Sequence, residues 1–306
     1  MAYKAICLVL MLLITPIVFS QPDKWFKPRN PSPTDMADTV VDEEKSYEAV
    51  QLCPCARLGW QSIPGGLIHV SIGSSGVWGA NSNGNIYFRE GSYGNEQNTG
   101  ATWIQVSGGL SQLDVGKNVV WGVNSNDNIY ARQGITSGNP TGTGWSQVGG
   151  ALKHVSVSQK GHVWGVNSGD NIYHRLGASN CNVLGNDWRQ IGGGLKQISV
   201  GSGGVWGVNS ADSIYYREGT FGDPDSDPDG STWTRVSGAL KYISSGDDIY
   251  GVNSNNNVYY RLGVSAAAPK GTDWQNIPGG LSQIESLSLA VWGVNTNGNI
   301  YVKETD

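Results

Sequence analysis

Tryptophan and asparagine recur three residues apart in this sequence. The pairs are Trp78 with Asn81, Trp121 with Asn124, Trp164 with Asn167, Trp206 with Asn209, and Trp292 with Asn295. An aromatic ring can cover the apolar face of a sugar ring, and a planar amide can bond its hydroxyls. The pairs therefore indicate candidate carbohydrate sites. The alternative is structural: the tryptophans fill space between β-sheets, and the asparagines bond their own turns.

Arginines also recur at one position of a repeating pattern. They are Arg89, Arg132, Arg175, Arg217 and Arg261, with Lys303 at the sixth position. A guanidinium group can bind a sugar phosphate through two parallel hydrogen bonds, so these arginines are candidate ligand-binding residues. Stacking or hydrogen bonding within a sheet is the competing role.

One loop, residues 222–230, carries carboxylates at alternating positions. Asp225, Asp227 and Asp229 resemble the opening of a calcium-binding loop, in which oxygen ligands converge on a hard cation. The bidentate glutamate expected at the twelfth position is replaced by Val236. A solvated acidic loop is thus favoured over a calcium site, and no other cofactor is indicated.

The histidines give no sign of catalysis. His69, His154, His162 and His174 lack the HExxH spacing, and no G-x-S-x-G motif accompanies them. The sequence therefore predicts a binding protein and not an enzyme.

These candidate residues lie within six copies of one repeat of about 43 residues. The first-anchor tryptophans open the copies and are Trp60, Trp103, Trp145, Trp188, Trp233 and Trp274. The second-anchor residues are Trp78, Trp121, Trp164, Trp206, Tyr250 and Trp292. The third-anchor tyrosines are Tyr87, Tyr130, Tyr173, Tyr215, Tyr259 and Tyr301.

Each copy contains four short β-patterns separated by turn residues. In the second copy these are 103–107, 110–115, 119–124 and 128–132, and Ser125-Asn126-Asp127 forms a tight polar turn. Four strands in each of six copies predict an all-β fold, a six-bladed β-propeller of four-stranded blades. Because residues three apart on a strand face opposite sides, a Trp from one blade and an Asn from its neighbour would meet in a groove between blades.

The repeat is out of phase with the blade by one strand. The array of repeats begins with the Trp60 strand and ends with the strand around Tyr301. We therefore expect residues 60–63 to supply the outer strand of the last blade, which would close the ring and protect its edge.

The motifs VWGVNS, NIYxR and WxQVxGxL resemble the tectonin-type β-propeller lectins, the group that includes fish-egg lectin and tachylectin. The resemblance covers residues 60–301. It implies binding to N-acetylglucosamine, methylated glycans or bacterial lipopolysaccharide, and a role in innate defence or egg protection. Two features depart from the family pattern, namely Tyr250 at the second anchor and the segment 21–57.

The ends of the chain predict secretion. Residues 1–20 combine Lys4, an apolar run and small residues before Gln21, as in a signal peptide too short to span a membrane. Residues 21–57 are rich in proline and acidic residues and read as a flexible tail, followed by the propeller at 58–306. Removing Lys4 leaves 19 basic and 25 acidic residues, a balance that argues against nucleic-acid binding.

Three cysteines remain after the signal, namely Cys53, Cys55 and Cys181. An odd number in a secreted protein predicts a free thiol or a bond to a second chain. Cys181 lies in the third blade, whereas Cys53 and Cys55 precede the strand that closes the sixth blade on the opposite side. Their separation along the ring favours a disulfide-linked homodimer through Cys53 or Cys55 over a bridge within one chain.

The sequence as a whole indicates a secreted, extracellular, multivalent lectin whose partners are glycans on microbial or egg surfaces. The alternative is a secreted propeller that acts as a protein-interaction scaffold and binds no sugar. A lectin predicts several equivalent polar and aromatic grooves, whereas a scaffold predicts one exposed apolar patch.

Overall fold

The computed structural model describes residues 59–305, which form 24 strands in six antiparallel four-stranded sheets. The inner strands are β2 (His69–Gly73), β6 (Gln112–Val115), β10 (His154–Val157), β14 (Gln197–Gly201), β18 (Tyr242–Ser245) and β22 (Gln283–Leu287). The second strands are β3 (Gly76–Ala80), β7 (Val120–Val123), β11 (Val163–Val166), β15 (Gly204–Val208), β19 (Ile249–Val252) and β23 (Ala290–Val294).

The remaining strands complete each blade toward its outer edge. The third strands are β4 (Ile86–Arg89), β8 (Ile129–Gln133), β12 (Ile172–Leu176), β16 (Ser213–Arg217), β20 (Asn257–Arg261) and β24 (Ile300–Glu304). The outer strands are β5 (Trp103–Val106), β9 (Gly144–Val148), β13 (Asp187–Ile191), β17 (Trp233–Ala239), β21 (Trp274–Gly280) and β1 (Gln61–Ile63). Each inner strand contacts the inner strands of both neighbouring blades, so the sheets form a closed ring. The predicted all-β six-bladed propeller is thus confirmed.

Ring closure occurs as the repeat phase predicted. Strand β1 pairs antiparallel with β24, with Gln61 opposite Val302 and Ile63 opposite Ile300. The sheet order β1-β24-β23-β22 makes this strand from the start of the propeller the outer strand of the sixth blade. The two ends of the repeat array are therefore joined by backbone hydrogen bonds.

Local sequence explains the turns between the second and third strands. In the second blade the side-chain Oδ1 of Asn124 accepts hydrogen bonds from the backbone amides of Asn126 and Asn128, each at 3.0 Å. Asp127 adopts a positive φ of 62°, a conformation that Asp tolerates better than most residues. The predicted tight polar turn is therefore present, and its asparagine stabilises it.

The hydrophobic core is divided into six clusters, each lying between two adjacent blades. In the cluster between the second and third blades, Trp121 and Ile129 pack against Val155 and Val163. Five comparable clusters occupy the other interfaces. Because each cluster buries apolar surface from two blades, the blades stabilise one another around the ring.

Candidate functional site

A groove opens at the outer end of the interface between the first and second blades. Trp145, Tyr130 and Asn124 of the second blade line it, together with Gly108 and Leu110 of the loop that joins the two blades. Its volume is about 300 Å³. An aromatic wall beside an amide and a phenol is suited to a ligand that has both apolar and hydroxyl-bearing faces.

The same arrangement recurs at other interfaces. A groove of about 200 Å³ lies between the third and fourth blades, with Tyr215 and Trp233 in its wall. A groove of about 290 Å³ between the fourth and fifth blades contains Tyr259, Trp274 and Asn253. At the other three interfaces the corresponding Trp and Tyr also pack partly buried against the interblade core; these pairs are Trp188 with Tyr173, Trp60 with Tyr301, and Trp103 with Tyr87. We call these six positions the interblade grooves.

The first-anchor tryptophans are held in place from both sides. Trp145 Nε1 donates a hydrogen bond of 2.7 Å to the carbonyl of Ser107, in the loop that leads from the previous blade. All six indoles make the equivalent bond, at 2.7 to 2.9 Å. Gly108 permits this close approach, because it has a φ of 123° and an added Cβ would lie 2.9 Å from the indole nitrogen. The rings are thus fixed before any ligand arrives.

The five candidate arginines lie behind these indoles and not in the grooves. The guanidinium carbons of Arg89, Arg132, Arg175, Arg217 and Arg261 lie 5.1 to 5.4 Å from the centroids of the first-anchor rings that follow them in sequence. Their side chains are 4 to 8% exposed, and each Nε donates to a loop carbonyl, as Arg175 does to Leu184 at 2.8 Å. Burial lowers the pKa of all five. This arrangement corresponds to the structural role, and it leaves the guanidinium groups no open approach to a sugar phosphate. Lys303 at the sixth position is likewise buried.

The second-anchor tryptophans also lie outside the grooves. Trp78, Trp121, Trp164, Trp206 and Trp292 are fully buried in the interblade clusters, at 0% exposure. A ring without an open face cannot stack on a sugar, so we assign these five residues to the core. Tyr250 takes the same buried position in the fifth blade, and its ring lies 5.0 Å from that of Tyr260.

The candidate asparagines lie in the turns next to the grooves, but the side-chain oxygen of each already accepts hydrogen bonds. The Oδ1 atoms of Asn81, Asn124, Asn167, Asn209 and Asn295 each accept two backbone amides of their own turn. In two of them Nδ2 approaches a third-anchor tyrosine: Asn167 and Asn295 lie 3.5 Å from the hydroxyls of Tyr173 and Tyr301. We expected a second-anchor Trp of one blade to meet an Asn of its neighbour; in the groove between the first and second blades the Trp is the first-anchor Trp145, and it comes from the same blade as Asn124.

One set of exposed residues beside the groove walls was missed by reasoning on sequence alone. The residue two positions after each first-anchor tryptophan lies directly opposite a third-anchor tyrosine on the neighbouring strand, as Gln147 does opposite Tyr130. The set is Ser62, Gln105, Gln147, Gln190, Arg235 and Asn276, and all six are exposed. Strand alternation from the tryptophan was the signal that could have identified them.

The acidic loop 222–230 is bonded to the third blade. His162 Nδ1 lies 2.7 Å from Asp223 Oδ1, and His174 Nδ1 lies 2.6 Å from Asp229 Oδ1. Asp229 also pairs with Arg189, while Asp225 and Asp227 are exposed. Among residues 59–305, no three His, Cys, Asp or Glu side chains are grouped in a way that could hold a metal ion. Asp229 is therefore already paired with His174 and Arg189. The geometry of residues 59–305 does not support calcium binding by Asp225, Asp227 and Asp229.

A polar cluster fills the axis of the ring. His69, His154 and Tyr242 come from alternate inner strands, with ring centroids 5.7 to 6.4 Å apart. The Tyr242 hydroxyl lies 3.0 Å from His69 Nε2 and donates to Glu285 at 2.7 Å. Burial lowers the pKa of both histidines to about 3 and, together with the charge of Asp114, raises the pKa of Glu285 well above its ordinary value.

The other three inner strands link the blades at the same level. Gln112, Gln197 and Gln283 each bond both the amide and the carbonyl of one residue in the next inner strand. Three of the six axial residues thus fill the channel, and the three glutamines join neighbouring inner strands.

Several predictions concern residues outside the described range. These are the signal peptide at 1–20, the tail at 21–57, and Cys53 and Cys55. Cys181 is exposed in the loop between β12 and β13. Within residues 59–305, the structure has no helix with the length and apolar character needed to cross a bilayer.

Comparison with known proteins places the chain in a wider context. The family model of the tectonin domain matches residues 41–151 and 145–285. The Perivitellin-2 31 kDa subunit of Pomacea maculata is 28% identical over 239 residues, which cover 76% of this chain and 83% of that protein. The crystal structure of human WBSCR16 superposes with a TM-score of 0.50 at 11% identity, covering 77% of this chain and 76% of the other. At that identity the structural likeness concerns the fold alone.

Proposed function

The chain belongs to the tectonin family, and from this premise we propose that it is a secreted, multivalent lectin that binds glycans in the interblade grooves. The observation that carries the proposal is the repetition of one groove chemistry. A half-buried indole and a third-anchor tyrosine recur at the six interfaces, and an asparagine amide joins them in the grooves that contain Asn124 and Asn253. Such a surface matches the alternating C–H and hydroxyl faces of a sugar ring.

The distribution of exposed apolar residues favours a lectin over a protein-interaction scaffold. Among residues 59–305, the large hydrophobic side chains with high exposure are Ile68, Ile104 and Leu289, at 38 to 48%. Ile68 precedes an inner strand, Leu289 follows one, and Ile104 lies on an outer strand, so they occupy different parts of the ring. A scaffold would instead concentrate such residues in one patch.

We propose glycans of the N-acetylglucosamine type, methylated glycans or bacterial lipopolysaccharide as the ligands. This choice rests on the family, as does the proposed role in innate defence or egg protection. Secretion rests on the predicted signal at 1–20. We place the protein among binding proteins and not among enzymes, because the residues that recur at the anchor positions form cores, turns and grooves.

The test is a glycan array and calorimetry on the mature protein and on a variant with all six third-anchor tyrosines changed to Phe. The wild type should bind at least one glycan class. The variant should keep its unfolding midpoint and lose affinity about fivefold at each groove, because a neutral hydrogen bond contributes about 1 kcal/mol.

Tyr216→Phe provides the matched control, because Tyr216 neighbours Tyr215 in sequence but lies fully buried in an interblade core. It should leave glycan binding unchanged. If the correctly folded wild type binds no carbohydrate by either method, the lectin proposal fails and the scaffold replaces it.

A further inference from the structure

The residue two positions after each first-anchor tryptophan differs in charge at one groove. Three copies have Gln, one has Asn and one has Ser. The fourth blade has Arg235. The interface between the third and fourth blades therefore has a cation where the five equivalent positions have neutral polar groups.

Strand register places Arg235 beside the groove wall. Arg235 in β17 lies directly opposite Tyr215 in β16, and it follows Trp233 by two residues. Directly opposed residues, and residues two apart on one strand, project from the same face of a sheet. Arg235 therefore shares a face with Tyr215 and Trp233, which line the groove of about 200 Å³.

The guanidinium group of Arg235 is available to a ligand. Its side chain is exposed, and no hydrogen bond, ion pair or ring contact engages it among residues 59–305. By contrast, the arginines of the Arg217 type are buried behind the indoles, and Arg189 pairs with Asp229. Carboxylates on the loops next to this groove are also paired, Asp170 with Lys153 and Asp212 with Lys196.

We propose that this groove, lined by Trp233 and Tyr215, selects saccharides that carry an oxyanion group, with Arg235 binding the anion while the aromatic residues hold the sugar ring. The inference rests on the proposed carbohydrate-binding function and extends it to one ligand class at one site. A guanidinium fork matches phosphate, sulfate and carboxylate oxygens in two parallel hydrogen bonds, which an amide cannot supply. The other grooves select neutral sugars.

The repeat itself supplies the variants that test this proposal. Arg235→Gln installs the residue found at this position in the first three blades, and Gln147→Arg installs the cation in the groove between the first and second blades. Both positions are exposed, so neither change disturbs the core. Calorimetric titrations with N-acetylglucosamine, its 6-phosphate, its 6-sulfate and glucuronic acid compare the neutral sugar with three sources of the anion.

We expect the wild type to show one high-affinity phase for the anionic sugars that weakens at high salt. Arg235→Gln should lose that phase, a drop of about 10- to 100-fold for a charged hydrogen bond, while binding of N-acetylglucosamine stays the same. Gln147→Arg should show a second high-affinity phase. The three anionic probes then rank the phosphate, sulfate and carboxylate sources.

The outcomes separate this proposal from the proposed function. If Arg235→Gln retains the anionic phase, or loses neutral and anionic sugars equally, the role of Arg235 is overturned while the lectin remains. If the wild type binds none of the four probes, and a glycan array detects no other ligand, the proposed function itself fails.

Discussion

Two aromatic residues in each repeat have different environments because they lie on different strands of the blade. The second-anchor residue lies on the second strand, where both faces of the sheet are covered, and Trp121 is fully buried there. The first-anchor residue lies on the outer strand, and Trp145 is half-buried. Position within the blade, and not residue type, therefore decides which tryptophan can meet a ligand.

The axial cluster shows how buried polar groups bond one another without an ion pair, although Nδ1 of His69 and of His154 has no hydrogen-bond partner among residues 59–305. Tyr242 has one proton, which it donates to Glu285, and its oxygen can accept from the Nε2 protons of His69 and His154. Both imidazoles are then neutral and carry the proton on Nε2. Burial opposes their protonation, which is why their pKa values fall to about 3.

This cluster predicts that the protein is acid-sensitive. In the unfolded chain the two histidines have the ordinary pKa of 6.5, whereas in the folded ring it is about 3. Below pH 6.5 the unfolded state binds protons that the folded state does not, so the stability present above pH 6.5 is lost as the pH falls toward 3. Each histidine should cost about 1.4 kcal/mol per pH unit well below pH 6.5.

The variant His69→Gln/His154→Gln isolates this contribution, because Gln occupies the equivalent position in the other alternate strands. Denaturant unfolding at pH 7.5 and at pH 5.5 should show a smaller loss of free energy in the variant than in the wild type. Groups such as Glu285 and Asp114, whose pKa values burial raises, titrate in both proteins, so the difference reports on the histidines. Equal losses would show that the histidines are protonated in the folded ring.

At the scale of single residues, the sequence predicted hydrogen bonds within a turn better than contacts between distant residues. The asparagines were candidate sugar ligands, with bonding to their own turns as the alternative, and Asn124 does bond its own turn. The axial contact of His69 with Tyr242 could not be predicted, since it joins residues 173 positions apart through the closed ring. Local patterns contain turn chemistry, whereas the axis depends on the positions of all six blades.

Among the elements, the short strand β1 has the largest effect on topology for its length. It has three residues, and Ile63 at its end is 3% exposed within the cluster between the sixth and first blades. Ile191 occupies the same repeat position in β13, which is joined to its blade by the ordinary chain connection. The two isoleucines thus have similar packing and different connectivity.

We expect Ile63→Ala to lower the free energy of unfolding by about 2 to 5 kcal/mol, the range for truncating a buried isoleucine to alanine. Hydrogen exchange should increase in β24, where Ile300 faces Ile63. Ile191→Ala should instead increase exchange in β12, where Ile172 is its partner. A loss below about 0.5 kcal/mol for Ile63→Ala, with β24 still protected, would contradict closure by β1.

Strand positions were predictable because the repeat displays the same pattern six times. The strands expected at 103–107 and 128–132 are observed as Trp103–Val106 and Ile129–Gln133. The phase of the repeat also predicted the pairing of β1, since an outer strand was missing from the sixth blade. The face presented by each outer strand was harder to assign, because the groove at Trp145 forms only when Tyr130 lies on the neighbouring strand, opposite Gln147.

At the scale of the whole molecule, the grooves share one end of the ring. Each groove lies at the loop joining the outer strand of one blade to the inner strand of the next, as Gly108 does between β5 and β6. Successive copies are related by rotation about the channel axis, and such a rotation keeps every groove at the same axial level. A single ring is therefore suited to bind several glycans of one surface, with affinity raised by effective concentration.

Agglutination is consequently expected to need two rings, which the predicted disulfide through Cys53 or Cys55 would join. The secreted protein should run as a dimer in non-reducing electrophoresis and agglutinate glycan-coated beads, because a second ring supplies grooves that reach a second bead. Cys53→Ser/Cys55→Ser should run as a monomer, bind one densely coated surface with the affinity of a single ring, and fail to agglutinate. Its surface binding serves as the control for folding and for the grooves. Agglutination by a monomeric variant would contradict the placement of all grooves at one end, since one ring would then present sites in opposing directions.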